Sequence, residues 1–167
     1  APFYIKHTDG FVALSESVVR DIALLDKKQK PKTYSPHPVY DHYGEKMDKK
    51  EACVALGLDE GKRYMLFFGL VRAYKGLDLL LDAFGKVKDE LKDLQLIVAG
   101  EFYEDEDKYR RQISDNGLID RVIIKNEFIA DADLRKYFGA ADLIVQPYKT
   151  ATQSGVTQVA FHFEKPC

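Results

Sequence analysis

Three short stretches gather residues able to bind or polarise a ligand. The first is Phe67 to Gly76, FFGLVRAYKG, in which Gly69 ends an apolar run, Gly76 opens a helical one, and Arg72 and Lys75 lie between. A glycine turn feeding a helix N-terminus presents free backbone N–H groups and a partial positive charge. Arg72 and Lys75 would add two cations there, which suits an anion such as a diphosphate; two solvated loop cations are the alternative reading. Neither GxGxxG nor GxxxxGK[ST] occurs, so this is no dinucleotide fingerprint and no P-loop. The second stretch is Pro147 to Phe161, PYKTATQSGVTQVAF. Thr150, Thr152 and Ser154 offer hydroxyls, Lys149 a cation, and Gly155 close access to the backbone. A hydrophilic turn capped by Ser154 is the alternative, but so long a polar run is uncommon between tightly packed elements. In the third stretch, GEFYEDEDKY, Glu101 follows Gly100 directly and suits a ribose hydroxyl or an amine. The acidic run Glu104 to Asp107 reads instead as support for the next helix N-terminus.

Other chemistry-bearing residues read as structural. His37 and His42 in HPVYDH have only Asp41 beside them, too few ligands for a metal, and no metal is expected. His162 reads as a packed or surface side chain. Cys53 and Cys167 are isolated, show no metal or redox spacing, and fit a reducing, cytoplasmic setting.

The elements that position these loops follow from periodicity. Asp9 to Ser15 (DGFVALS) reads as a short buried strand, with Ser15 capping a helix from Glu16 to about Lys27. Lys28 to Gly44, with three prolines, reads as an extended linker. Met47 to Leu56 is helical, closed by Gly57. Strands are then expected at Arg63 to Gly69, Leu94 to Gly100, Arg121 to Lys125 and Asp142 to Gln146. Helices are expected at Leu77 to Leu91, Asp105 to Asn116, Asp131 to Gly139 with Asp131 as N-cap, and Ser154 to Glu164. Near-continuous apolar strands alternating with helices indicate a Rossmann-like, doubly wound parallel sheet in a three-layer α/β/α fold. Ligands of such sheets bind beyond the C-terminal strand ends, where the three stretches lie, together with the loop Glu127 to Asp131.

Composition agrees. The chain has 167 residues, 46% hydrophobic and 31% charged, which excludes disorder and supports a core. Lys and Arg total 25 against 27 Asp and Glu, a net charge of −2 that argues against nucleic-acid binding. No uncharged apolar run approaches the roughly 18 residues of a membrane span.

The order FFGLVRAYKGLDLLLDAF, LQLIVAGEFYED, GLIDRVIIKNEFIADADLRKYFGAADLIVQPY and SGVTQVAFHFEKP resembles the second domain of GT-B-fold retaining glycosyltransferases of the group 1, family four class. The resemblance covers about Lys62 to Cys167. Upstream, TDGFVALSESVVRDI looks like the last strand and helix of the acceptor-side domain, and HPVYDHYG like the interdomain linker. The implied organisation is residues 1–44 as tail and linker, and residues 45–167 as a nucleotide-sugar donor domain cut short at its C-terminal end.

The resemblance implies a donor diphosphate held by Arg72, Lys75, Gly69 and Gly76, with Lys75 matching the family lysine. The family arginine position is Leu70 here, and Arg72 stands two residues on. The family Glu-x7-Glu element falls on Ala151 and Val159, so both glutamates are missing. Glu101, Thr152, Gln153, Ser154, Gly155 and Gln158 are the candidates for sugar and ribose contacts, with Thr157 nearby. The resemblance also implies retention of anomeric configuration, no metal or other cofactor, and no catalytic residue from this half. A glycan or lipid-linked acceptor would be held by the other domain, in a full-length protein working at a membrane surface, so the fragment alone is expected to be inactive. A non-catalytic nucleotide or sugar-binding module is the runner-up. A flavodoxin-like signalling domain is disfavoured by basic residues where its acidic cluster belongs. The family pattern continues into another core strand beyond Pro166, so DGFVALS is expected to fill a vacant sheet edge, within the chain or by exchange between chains.

Overall fold

The computed structural model describes residues 2–167. Its first elements are α1 (Pro2–His7), β1 (Phe11–Ala13), α2 (Glu16–Leu25) and β2 (Lys32–Tyr34). β1 and β2 pair in parallel, Phe11 opposite Lys32, in a two-stranded sheet of their own. Ser15 caps α2 as expected, accepting from the Val18 N–H at 3.3 Å. The end of α2 is fixed by the buried Asp26. Its carboxylate accepts from the Lys28 and Lys30 N–H groups at 3.2 and 2.7 Å and from Lys32 Nζ at 2.6 Å. The expected extended linker Lys28 to Gly44 is thus not free chain along its whole length, because Asp26 anchors Lys32 and residues Lys32–Tyr34 pair with β1 as a strand.

The larger unit contains α3 (Lys49–Leu56), β3 (Arg63–Phe68), α4 (Leu77–Val87), β4 (Leu94–Ala99), α5 (Glu106–Asp115), β5 (Val122–Lys125), α6 (Leu134–Ala140), β6 (Leu143–Ile144) and α7 (Gly155–His162). Asp48 caps α3, and Gly57 ends it at φ +69°, a left-handed conformation that favours glycine. The four strands are parallel, in the order β5-β4-β3-β6. The chain winds outward from β3 through β4 to β5, then crosses back to place β6 on the other side of β3. That reversal puts a topological switch point between the C-terminal ends of β3 and β6.

The period of two along each strand divides the core between the faces. Met65, Phe67, Leu96 and Val98 pack with Leu77, Leu81 and Phe84 of α4 and Tyr109 and Ile113 of α5. Tyr64, Leu66, Ile97 and Ala99 pack with Ala52 and Cys53 of α3, Phe138 of α6 and Val159 and Ala160 of α7. This is the three-layer, doubly wound sheet read from the sequence.

Three expectations are corrected. DGFVALS does not join the large sheet: β1 pairs with β2, while the outer edge of β6 meets the chain's own last residues, Ile144 N–H donating to the Pro166 carbonyl at 2.9 Å. Asp131 does not cap α6. Residues 131–133 form a separate tight turn, and Asp133 occupies the N-cap position without a side-chain cap bond. β6 is shorter than Asp142 to Gln146, although Val145 N–H still donates to the Leu66 carbonyl at 2.9 Å. Asp142 still donates its N–H to the Tyr64 carbonyl at 2.8 Å, and its carboxylate accepts from the Tyr64 N–H at 2.7 Å and Lys49 Nζ at 2.8 Å. Among the described residues no helix is long and apolar enough to cross a membrane.

Candidate functional site

The loop after β3 is built around close backbone approaches. The chain turns at Gly69, φ +88°, and runs beside the end of β4, with Val71 N–H donating to the Glu101 carbonyl at 2.8 Å. A side-chain carbon at Gly100 would lie 2.4 Å from the Gly69 carbonyl oxygen, so the two strand ends touch through bare backbone. Ala73–Lys75 form one tight turn, and Gly76, φ +74°, opens α4. A side-chain carbon at Gly76 would lie 2.0 Å from the Pro147 carbonyl oxygen. The loops after β3 and β6 therefore abut at the switch point, where Lys149 N–H also donates to the Tyr74 carbonyl at 2.8 Å.

Lys75 is the unusual residue of this junction. It is only 7% exposed, and its Nζ is 3.4 Å from the Phe68 carbonyl oxygen, a marginal bond for an ammonium. A side-chain carbon at Gly69 would come within 2.9 Å of that Nζ, so glycine leaves the ammonium its place. Burial first, and the Arg72 charge second, hold its pKa below the ordinary lysine value.

Lys75 lines a cleft of about 380 Å3 between the two loops. Phe68 and Tyr74 contribute from one side, Tyr148, Gln153, Ser154 and Gly155 from the other, and Tyr40 and Tyr43 from the linker. Ser154 precedes α7 but does not cap it; its hydroxyl shares a hydrogen bond with the Tyr148 hydroxyl at 3.0 Å. The first N–H groups of α7 are thus left without a side-chain cap beside the cleft. The Gln153 amide donates to the Leu14 carbonyl, tying this loop to the segment after β1.

The cleft brings together Lys75, Gln153, Ser154 and Gly155 and leaves the other sequence candidates outside its lining. Arg72 extends away, its guanidinium 4.8 Å from the centre of the Tyr103 ring. Gly69 and Gly76 shape the loop without lining the cleft. Lys149 is paired with Asp78 at 2.5 Å. Burial pushes the Asp78 pKa up, but the hydrogen bond and charge of Lys149 outweigh it and hold the carboxyl below its ordinary range. Thr152 is exposed and Gln158 half-buried, both beyond the cleft wall. Glu101 lines a second hollow of about 170 Å3, with Gly69, Gly100, Glu127 and Phe128. Tyr40, Tyr43 and Glu127 escaped the sequence reading as site residues. The signals present were the aromatic density of the linker and the position of Glu127 just beyond a strand end.

Residues 48–157 match the family described as glycosyl transferases group 1. The chain belongs to this family. It is 31% identical over 152 residues to the lipopolysaccharide core biosynthesis mannosyltransferase LpsB of Rhizobium meliloti (strain 1021), a match covering 88% of this chain and 41% of that relative. The chain thus spans well under half the length of that relative. Its fold is shared with sucrose-phosphate synthase from Thermosynechococcus elongatus, at TM-score 0.83 and 17% identity over 99% of this chain and 41% of that one. It is shared too with Anabaena Alr3699/HepE in complex with UDP and glucose, at TM-score 0.80 and 19% identity over 98% of this chain and 44% of that one. The fold is that of a Rossmann-like domain of the GT-B glycosyltransferases. Within this group 1 chain, Ala151 is exposed in the loop before α7, and Val159 is buried in α7 against the core.

Proposed function

We propose that this chain carries the donor-binding half of a retaining glycosyltransferase, and that the cleft at the switch point holds the diphosphate of a nucleotide-sugar. The buried, nearly unpartnered Lys75 ammonium is the observation that carries this reading. A cation withdrawn from water and given one weak acceptor interacts strongly with an anion brought to it. Departure of a nucleoside diphosphate from the sugar builds negative charge on the phosphates. A fixed ammonium in a partly dry site stabilises that charge without reorganisation. Lys75 would exchange its long contact with the Phe68 carbonyl for phosphate oxygen, and the uncapped N–H groups of α7 would bind the same group from the opposite wall. Arg72 reaches this charge by swinging off Tyr103. Of the candidates for the donor sugar and ribose, Gln153, Ser154 and Gly155 line the cleft and Glu101 lines the neighbouring hollow, whereas Thr152 and Gln158 lie outside both and would take no direct part.

In this reading the diphosphate is neutralised by side chains and backbone, with no metal required. The acceptor, a glycan or lipid-linked glycan, and the groups that bind it belong to the other domain of a membrane-peripheral protein. The isolated chain then binds donor without transferring sugar. A second reading, a binding module without transferase activity, is favoured by Ala151 and Val159 standing at the family's glutamate positions.

Titration calorimetry on the 167-residue chain tests the donor reading. Nucleoside diphosphate binding should fall about tenfold to hundredfold in Lys75→Ala, the size of one charge-assisted hydrogen bond. Arg72→Ala should cost less. Binding that neither substitution alters would exclude the phosphate role. Sugar transfer by the chain alone would overturn the division of labour.

A further inference from the structure

The hollow beside the cleft carries information about the donor. It lies at the C-terminal ends of β3, β4 and β5, and its volume of about 170 Å3 is well below the roughly 300 Å3 at which whole-ligand sites begin. That size suits one flat ring system. The contact between Gly69 and Gly100 contributes bare backbone to its surface. Phe128, 74% exposed, supplies an aromatic ring at its rim. Gly69 also lies against Lys75 Nζ, so a ring in the hollow and a phosphate at Lys75 flank the same residue.

The polar side chains lining the hollow are two carboxylates, Glu101 and Glu127, with no lysine or arginine among them. The Tyr137 hydroxyl donates to Glu127 Oε1 at 3.4 Å. Burial, then the Glu127 charge, push the Tyr137 pKa up to about 12, so the phenol remains a donor across the physiological range. Glu127 has this one long contact on the protein side, and its exposed carboxylate lines the hollow.

A carboxylate offers acceptors only. It pairs best with two adjacent donors, which it can hold in parallel. Guanine has such an edge, N1–H beside the N2 amino group. Uracil sets one N–H between two carbonyl oxygens. Adenine and cytosine each place an amino group beside a ring-nitrogen acceptor. Resting on the donor reading above, we propose that the hollow is a guanine site, that Glu127 reads the N1–H and N2 amino edge, and that the donor is a guanosine-diphosphate sugar. Glu101, at the end of β4, is then left for the ribose.

Calorimetry with GDP, UDP, ADP and CDP on the 167-residue chain decides this. One bidentate pair discriminates by about 1–3 kcal/mol, so GDP should bind about tenfold to hundredfold more tightly than UDP. In Glu127→Gln that preference should fall to within about threefold, while a control, Glu101→Gln, weakens GDP and UDP alike. Circular dichroism establishes that both variants are folded. Equal affinity for GDP and UDP, with both weakened by Lys75→Ala, would overturn the guanine assignment and leave the donor reading standing. A GDP preference undiminished in Glu127→Gln would remove that residue's role. Failure of all four diphosphates to bind would sink the donor reading and this inference with it.

Discussion

The two loops that face each other across the cleft are built in opposite ways. The loop after β3 is fixed by backbone. Gly69 and Gly76 have positive φ, Gly69 and Gly76 sit where a side chain would meet Lys75 or Pro147, and Lys75 is sealed beneath them with one marginal acceptor. The loop after β6 is fixed by side chains that satisfy one another. Lys149 pairs with Asp78, Ser154 with Tyr148, and Gln153 with the Leu14 carbonyl. The first loop stores an unsatisfied charge in a rigid frame, whereas the second spends its polarity on holding its own shape. Under the donor reading, the first wall supplies the cationic side chain for the diphosphate, and the second supplies only the backbone N–H groups at the start of α7 while its side chains shape the cleft.

The harshest way to break this contrast is to add one carbon to the rigid wall. Gly76→Ala places a methyl group at φ +74° against the Pro147 carbonyl, a backbone atom that cannot rotate away. Left-handed strain and the clash together should cost at least about 2 kcal/mol of stability. The second loop would be pushed outward, so donor binding should be lost as well. Urea denaturation gives the first effect and calorimetry the second. An unchanged urea midpoint would show that the two loops are not wedged together.

A sharper test separates binding from stability within that wall. Lys75→Met keeps the buried stem and removes the charge, so binding should fall while stability rises by about 1 kcal/mol. The pH dependence has a defined sign. The native pKa of Lys75 lies below the ordinary 10.5, so between the two values the unfolded chain binds more protons. Stability from this group therefore rises with pH across that window and is flat below it. Comparing thermal midpoints of the parent and Lys75→Met from neutral pH to about pH 10 isolates the effect, because the tyrosines common to both cancel. Identical pH slopes would mean that Lys75 is well solvated.

How much of this was legible in the sequence follows the same division. Apolar strands such as LQLIVAG and the spacing Leu77, Leu80, Leu81, Phe84 declare the sheet and α4, since burial on two faces makes the strands near-continuously apolar. The glycines and lysine of FFGLVRAYKG were readable as a loop because its constraints are local in the chain. The burial of Lys75 was not, since it depends on Gly69 and on the second loop folding over it. Lys149 read as a cation available to ligand, but its partner Asp78 is distant in sequence. Tyr40 and Tyr43 joined the cleft only through the path of the linker. β2 was hidden between prolines and is specified by pairing with β1 and by the buried Asp26, neither of which has a periodic signature.

The smallest expected effect tests the second wall. Lys149 carries the same formal charge as Lys75 and lies at the same switch point, so counting charges would rank them equally. Its Nζ is held at 2.5 Å by Asp78 Oδ2, and Asp78 Oδ1 is buried without a hydrogen-bond partner. Removing Lys149 takes away no direct contact with the ligand, and the change in field from so exposed an ammonium is screened by solvent. Lys149→Ala should therefore change diphosphate affinity by less than about threefold, under 1 kcal/mol. Asp78→Asn, which frees the same ammonium, should tighten binding by a similar factor. The two substitutions displace affinity in opposite directions only if Asp78 is what withholds Lys149 from the ligand. A Lys149→Ala loss as large as that of Lys75→Ala would show that both walls offer the diphosphate a cationic side chain.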